Sequence, residues 1–140
     1  MIKYKLAIAF VAATLASCTS SGIRIGYGKA GHIAKNMTIP GLGIDGDCYI
    51  YAQELCKRLR DAGYEAYIVG FTYETQTPHF DKLPGHAFVV YRDTDGEGYR
   101  WYAKDNQNWM PVLLPEKSVM EMSQRFAGIE NFVTSARIVK

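Results

Sequence analysis

The sequence predicts an α+β domain, and three observations carry that prediction. Residues 48–62 repeat their apolar positions at helical spacing. Two alternating runs flank Asp95-Gly96, a hairpin signature. A further run, Ala66 to Tyr73, is rich in aromatic and β-branched residues, as strands are. With 140 residues, 48% hydrophobic and 21% charged, the chain suits one domain of ordinary globular usage. That composition excludes a disordered chain, a collagen-like repeat and a coiled-coil rod.

The first 17 residues read as an export signal. Lys3 and Lys5 precede an apolar stretch from Leu6 to Leu15. That stretch suits a signal-peptide core and falls short of the roughly 18 residues of a membrane span. It runs into Leu15-Ala16-Ser17-Cys18, which resembles the lipobox of bacterial lipoproteins. Cys18 is then the lipidated N-terminus; the alternative is an ordinary secretory signal cut near Ser17. Both readings take the chain out of the cytoplasm, and the lipid on Cys18 would anchor it in the bacterial cell envelope, periplasmic or at the surface. Residues 18–22 form the lipidated Cys and a short tether, and 23–140 a single domain. Without Lys3 and Lys5 the basic and acidic residues balance, so charge gives no argument for nucleic-acid binding.

Residues 23–46 carry glycines at 26, 28, 31, 41, 43 and 46 and no long periodicity; Ile23 to Ile25 suits a short strand. The helix from Cys48 to Ala62 buries Cys48, Ala52, Leu55, Cys56, Leu59 and Ala62 on one face. Asp47 is its expected N-cap and Gly63 its stop. The strand 66–73 comes next, then a loop with Pro78 and Pro84, then the Asp95-Gly96 hairpin. Pro115 to Phe126 reads as a second helix ended by Gly128, and Phe132 to Val139 as a last strand.

The hairpin predicts a contact. If Asp95 and Gly96 are the two turn residues, Val90 faces Trp101, Phe88 faces Ala103, and His86 faces Asp105 on the same side. Cβ atoms of such pairs lie about 4.5–5.5 Å apart, so the imidazole reaches the carboxylate. Cys48 and Cys56 cannot bridge. Eight residues of helix separate their Cα atoms by about 12 Å, and a disulfide needs less than about 7 Å. Cys56 reads as a small core residue. Cys48, in the first turn, sits where the helix dipole favours a thiolate. His32 and His79 read as exposed loop residues, and no paired ligand spacing marks a zinc site. Tyr99, Trp101 and Tyr102 read as sheet residues, and Trp109 as sheet or cleft wall.

Cys48, His86 and Asp105 supply the roles of nucleophile, general base and acid, and orienting carboxylate. In this order they resemble the transglutaminase-like superfamily, in particular bacterial transglutaminase-like cysteine peptidases. The matching stretches are Gly46-Asp47-Cys48-Tyr49-Ile50-Tyr51-Ala52, Ala62 to Val69, Gly85-His86-Ala87-Phe88-Val89 and Lys104-Asp105-Asn106. The resemblance spans roughly residues 44–108. It implies a papain-like core, a Cys-bearing helix packed on an antiparallel sheet that carries the His and Asp. It implies acyl transfer on an amide or peptide through a thioester, with no metal or organic cofactor. Its oxyanion hole would use the Cys48 N–H and an upstream donor, which neither Met37, Thr38 nor the nearby glycines identify. Two other functions fit an exported chain of this kind. One is a peptidoglycan endopeptidase of the NlpC/P60 kind, although Tyr49-Ile50 replaces the Ser-Gly expected after the Cys. The other is a binding lipoprotein without turnover.

Overall fold

The computed structural model describes residues 28–37, 47–75, 84–94, 98–115 and 118–139. The expected export signal, the expected lipidated Cys18 and tether, the expected strand at 23–25, Thr38 and His79 lie outside these. The described residues form three helices and a five-stranded antiparallel sheet, an α+β fold. The elements in chain order are α1 (Lys29–Asn36), α2 (Asp47–Asp61), β1 (Ala66–Thr75), β2 (Gly85–Thr94), β3 (Tyr99–Lys104), β4 (Val112–Leu113), α3 (Val119–Ala127) and β5 (Asn131–Val139). In space the strands run β4-β3-β2-β1-β5.

Strand alternation splits the core in two. Ala87, Val89 and Tyr91 of β2 point to one face and pack with Tyr51, Ala52, Leu55, Cys56 and Leu59 of α2 and Ala30 and Ala34 of α1. Phe88 and Val90 point to the other face. They pack with Val69, Phe71, Ala103 and Met122, the last from α3. Phe88 stacks on Phe126 with centroids 4.3 Å apart and planes 10° from parallel.

The end of α2 follows from one glycine. Gly63 takes φ +85°, its N–H bonds Arg60 O, and Tyr64 N–H bonds Leu59 O, both at 2.9 Å. These two bonds make a Schellman motif. At the other end Asp47 is the first helical residue rather than the residue before it, and puts its acid in the first turn. The second helix begins later than the sequence suggests, at Val119. Ser118 and Glu121 form a reciprocal capping box there, and Gly128, at φ +82°, ends it.

Helix α1 was invisible to periodicity. Its eight residues include Gly31, and His32, expected in a loop, lies exposed on it. Its support comes from far along the chain. Asp93, buried at the end of β2, accepts the Gly31 N–H at 2.6 Å through Oδ2. A carboxylate at a helix N-terminus satisfies a donor that the helix cannot.

The hairpin register differs from the two-residue turn. Thr94 pairs with Tyr99, Tyr91 with Tyr102 and Val90 with Ala103. Four residues therefore connect the strands, and Gly98 takes φ +139°. The slip is two residues, which leaves every side chain on its expected face, so the hydrophobic pattern cannot distinguish the registers. Aromatic pairing can. The observed register stacks Tyr91 on Tyr102, centroids 6.0 Å apart. The two-residue turn would set Tyr91 against Arg100.

Candidate active site

Cys48 is the second residue of α2. The buried stripe of Tyr51, Ala52 and Leu55 fixes the rotation of that helix, and residues three and four apart share a face. Cys48 is thereby turned toward the sheet, half-buried against the first core cluster. Its N–H belongs to the first turn, where backbone donors have no intrahelical acceptor. Cys56, two turns on, is a buried free thiol. Burial pushes that thiol up from its ordinary value, against a smaller opposing pull from Arg60.

His86 is the second residue of β2, edge-on to Phe71 with centroids 5.7 Å apart. Its Nε2 lies 2.8 Å from Asp105 Oδ2. The side chains are only 9% and 2% exposed, so water does little to screen the pair. In the observed register the ladder stops at Val89–Lys104. Asp105 is then diagonal to His86 instead of opposite, still on the same side and within reach of an imidazole.

Asp105 does two jobs with two oxygens. Oδ2 takes the histidine. Oδ1 accepts the N–H groups of Gln107 (3.2 Å) and Asn108 (2.8 Å) and the Asn108 side-chain Nδ2 (2.7 Å), which closes the turn after β3. Burial raises the carboxyl's pKa, but the hydrogen bonds from His86 and Asn108 together outweigh it and hold the group below its ordinary range. Asp105 is thus a carboxylate, which only accepts, and the ring's Nε2 must carry the proton. Nδ1 is left as the basic nitrogen.

Two residues that sequence reasoning did not single out surround this pair. Lys104 is buried. Its ammonium donates to the Asp105 carbonyl and lies 5.0 Å from the centre of the Tyr51 ring. Desolvation lowers its pKa, with the Asp105 charge pulling the other way. The Tyr51 hydroxyl is buried and has no hydrogen-bond partner among the described residues. Its pKa is pushed well up by burial and then by the Asp105 charge. Alternation marks position 104 as inward-facing, but nothing in the sequence says that an inward lysine finds a ring and a carbonyl.

A cavity of about 650 Å³ opens beside α2, and Cys48 and His86 both line it. Its floor is a row across the sheet, Ala87 of β2, Gly70 of β1 and Arg137 of β5, each paired with the next. Ala87 belongs to the cluster under α2, so the row faces the thiol. Alternation turns the His86 ring the other way, toward Phe71 and Phe88. The β2–β3 ladder ends at Val89–Lys104, and Asp105 lies beside His86 beyond it. Among the described residues no hydrogen bond joins the Cys48 thiol to the ring.

Trp109 is 90% exposed and does not wall this cavity. Trp101 packs with the second cluster and Tyr102 with the first, while Tyr99 is exposed on the sheet. Met37 is buried in the first cluster and does not line the cavity among the described residues. No three His, Cys, Asp or Glu side chains come together as a metal set among the described residues. Comparison with protein-family models, curated proteins and solved structures finds no match.

Proposed function

We propose that the chain is an exported, lipid-anchored cysteine hydrolase or acyltransferase with a papain-like, transglutaminase-like core, acting on an amide or peptide bond. The observation that carries this reading is the dry hydrogen bond between His86 Nε2 and Asp105 Oδ2, with His86 lining a cavity that also holds a helix-N-terminal thiol. A buried carboxylate that fixes the tautomer leaves Nδ1 basic. The reading requires Nδ1 to meet the Cys48 thiol across the cavity that both residues line; Nδ1 then takes the Cys48 proton and the thiolate attacks the amide carbon. A carbon–sulfur bond forms while the carbonyl becomes an oxyanion, for which the Cys48 N–H is a donor. The C–N bond breaks and the ring returns its proton to the leaving amine. Water, or a second amine, then attacks the thioester, and the thiol is regenerated. The membrane anchor in this proposal is the lipid on Cys18.

The test uses p-nitrophenyl acetate as acyl donor. The expected result is a burst of nitrophenolate equal to the protein present, with acetyl found on Cys48 by mass spectrometry. Cys48→Ala and His86→Ala lose it. Acetylation that is slow, spread over lysines and unchanged in Cys48→Ala contradicts the proposal. A second reading has its own observation, the missing hydrogen bond between the thiol and the ring. In that reading the domain binds a ligand in the cavity without turning it over, and His86→Ala leaves the thiol's reactivity unchanged.

A further inference from the structure

We infer that the cavity takes a ligand bearing a carboxylate, held by Arg137 with Ser135 beside it; the inference rests on the reading of this cavity as the acyl-transfer site. Arg137 is the only permanently charged side chain among the described residues that line the cavity, and none of these is a carboxylate. It makes no ion pair among the described residues. Among the described residues no carboxylate neutralises the guanidinium, which lines the cavity.

Its placement follows from the register. Gly70 pairs with Ala87 on one side and Arg137 on the other. Paired residues face the same way, so Arg137 projects on the thiol's side of the sheet. Two strand spacings, roughly 10 Å, separate it from Ala87. Gly70 between them has no side chain, and Val139 Cγ2 lies 3.3 Å from where its Cβ would be. One row further along, Thr72 pairs with Ser135, and their hydroxyls lie 2.7 Å apart. A bulge follows, in which Thr134 is skipped and its hydroxyl lies 2.9 Å from Thr72 Oγ1. Ser135 and Arg137 line the cavity two residues apart on one strand. They present a hydroxyl and a guanidinium side by side, the donor set for a planar carboxylate. A peptide whose scissile amide lies close to a free carboxylate, terminal or from an acidic side chain, fits this arrangement.

Two alkylating reagents of near-equal size test this directly at Cys48. In both, the thiolate attacks the methylene, a C–S bond forms and iodide leaves. Iodoacetate carries a carboxylate and iodoacetamide does not. An isolated thiolate repels the anion, so N-acetylcysteine sets the baseline ratio of the two rates. At pH 9, where even an ordinary thiol is largely ionised, the ratio at Cys48 is expected to exceed that baseline by about five- to tenfold, as a charge-assisted contact provides. Added salt should erode the excess. Arg137→Gln should return the ratio toward baseline, and Arg137→Lys should keep part of it. The position is exposed, so both variants should fold, which far-UV circular dichroism checks. A ratio that Arg137→Gln leaves unchanged overturns the inference. The catalytic reading is tested separately by the iodoacetamide rate at pH 6, which does not depend on Arg137. A slow rate there refutes the enzyme, while the pH 9 ratio still decides the carboxylate site.

Discussion

Replacing Asp105 by Asn separates the two jobs of that residue. Oδ1 serves the turn with three N–H donors and Oδ2 serves His86. In Asp105→Asn the amide oxygen keeps the turn, which leaves the NH₂ facing Nε2. The ring must then accept at Nε2 and carry its proton on Nδ1, the wrong tautomer for a base at the thiol. Charged hydrogen bonds become neutral ones, so the fold should lose only about 1–2 kcal/mol. Asp105→Ala also removes the acceptor of the three turn donors; Gln107 and Asn108 are exposed and water can serve them, so it should cost only about 1 kcal/mol more than Asp105→Asn. The effect on the thiol is larger in kind. A cysteine at its ordinary pKa near 8.5 is about 0.3% thiolate at pH 6, against nearly full ionisation in a thiolate–imidazolium pair. Lower basicity takes back part of that gain in nucleophilicity. Iodoacetamide labelling of Cys48 at pH 6 should therefore fall severalfold in Asp105→Asn. The acid limb gives a second reading. The folded carboxyl sits below its unfolded value near 3.8. Wild type therefore loses that share of its stability as pH falls through 3.8 toward the lowered value, and Asp105→Asn does not. An Asp105→Asn protein that stays folded and labels like wild type at pH 6 would falsify the assigned role.

Other perturbations test the frame around the site. A Cβ at Gly28 would lie 2.2 Å from Asp93 Oδ1 and 2.5 Å from the Thr94 carbonyl; Gly28→Ala should cost about 1–3 kcal/mol and speed hydrogen exchange at Gly31. Phe88→Ala removes a fully buried ring stacked on Phe126. Urea denaturation should show a loss of about 3–5 kcal/mol, and a loss under 1 would contradict that packing. Lys104 has a folded pKa below its ordinary 10.5, so the unfolded chain holds that proton more tightly. Wild-type stability relative to Lys104→Met should rise with pH from the lowered value up to 10.5. A flat difference across that range means the ammonium is not desolvated.

Much of the site was legible because its residues sit at punctuated places. Gly63 and the apolar stripe fixed α2 and, with it, Cys48 in a first turn. The Asp95-Gly96 signal located the hairpin and paired the right strands, although its register was two residues off. The His86–Asp105 contact survived because a two-residue slip preserves faces. What stayed hidden depends on contacts distant in sequence. Helix α1 leans on Asp93, 62 residues beyond Gly31. The burial of Lys104 needs the Tyr51 ring on another element. Arg137 enters the cavity only because β5 pairs with β1 rather than with β4. The same alternation that pairs His86 with Asp105 turns its ring from the face of Cys48, a consequence visible only once α2 is assigned to a face. The capping box at Ser118 and Glu121 was readable from sequence and marks the start that periodicity placed too early.

In the proposed reaction His86 makes Cys48 a thiolate. The most direct measurement is the pH dependence of iodoacetamide labelling at Cys48, resolved by mass spectrometry, in wild type and His86→Ala. Buried Cys56 serves as the internal reference, because burial holds its thiol above the ordinary value. The account predicts rapid Cys48 labelling near pH 6 in wild type, lost in His86→Ala, with Cys56 slow in both. Cys48 labelling that rises only near pH 8.5 and is the same in both proteins contradicts it.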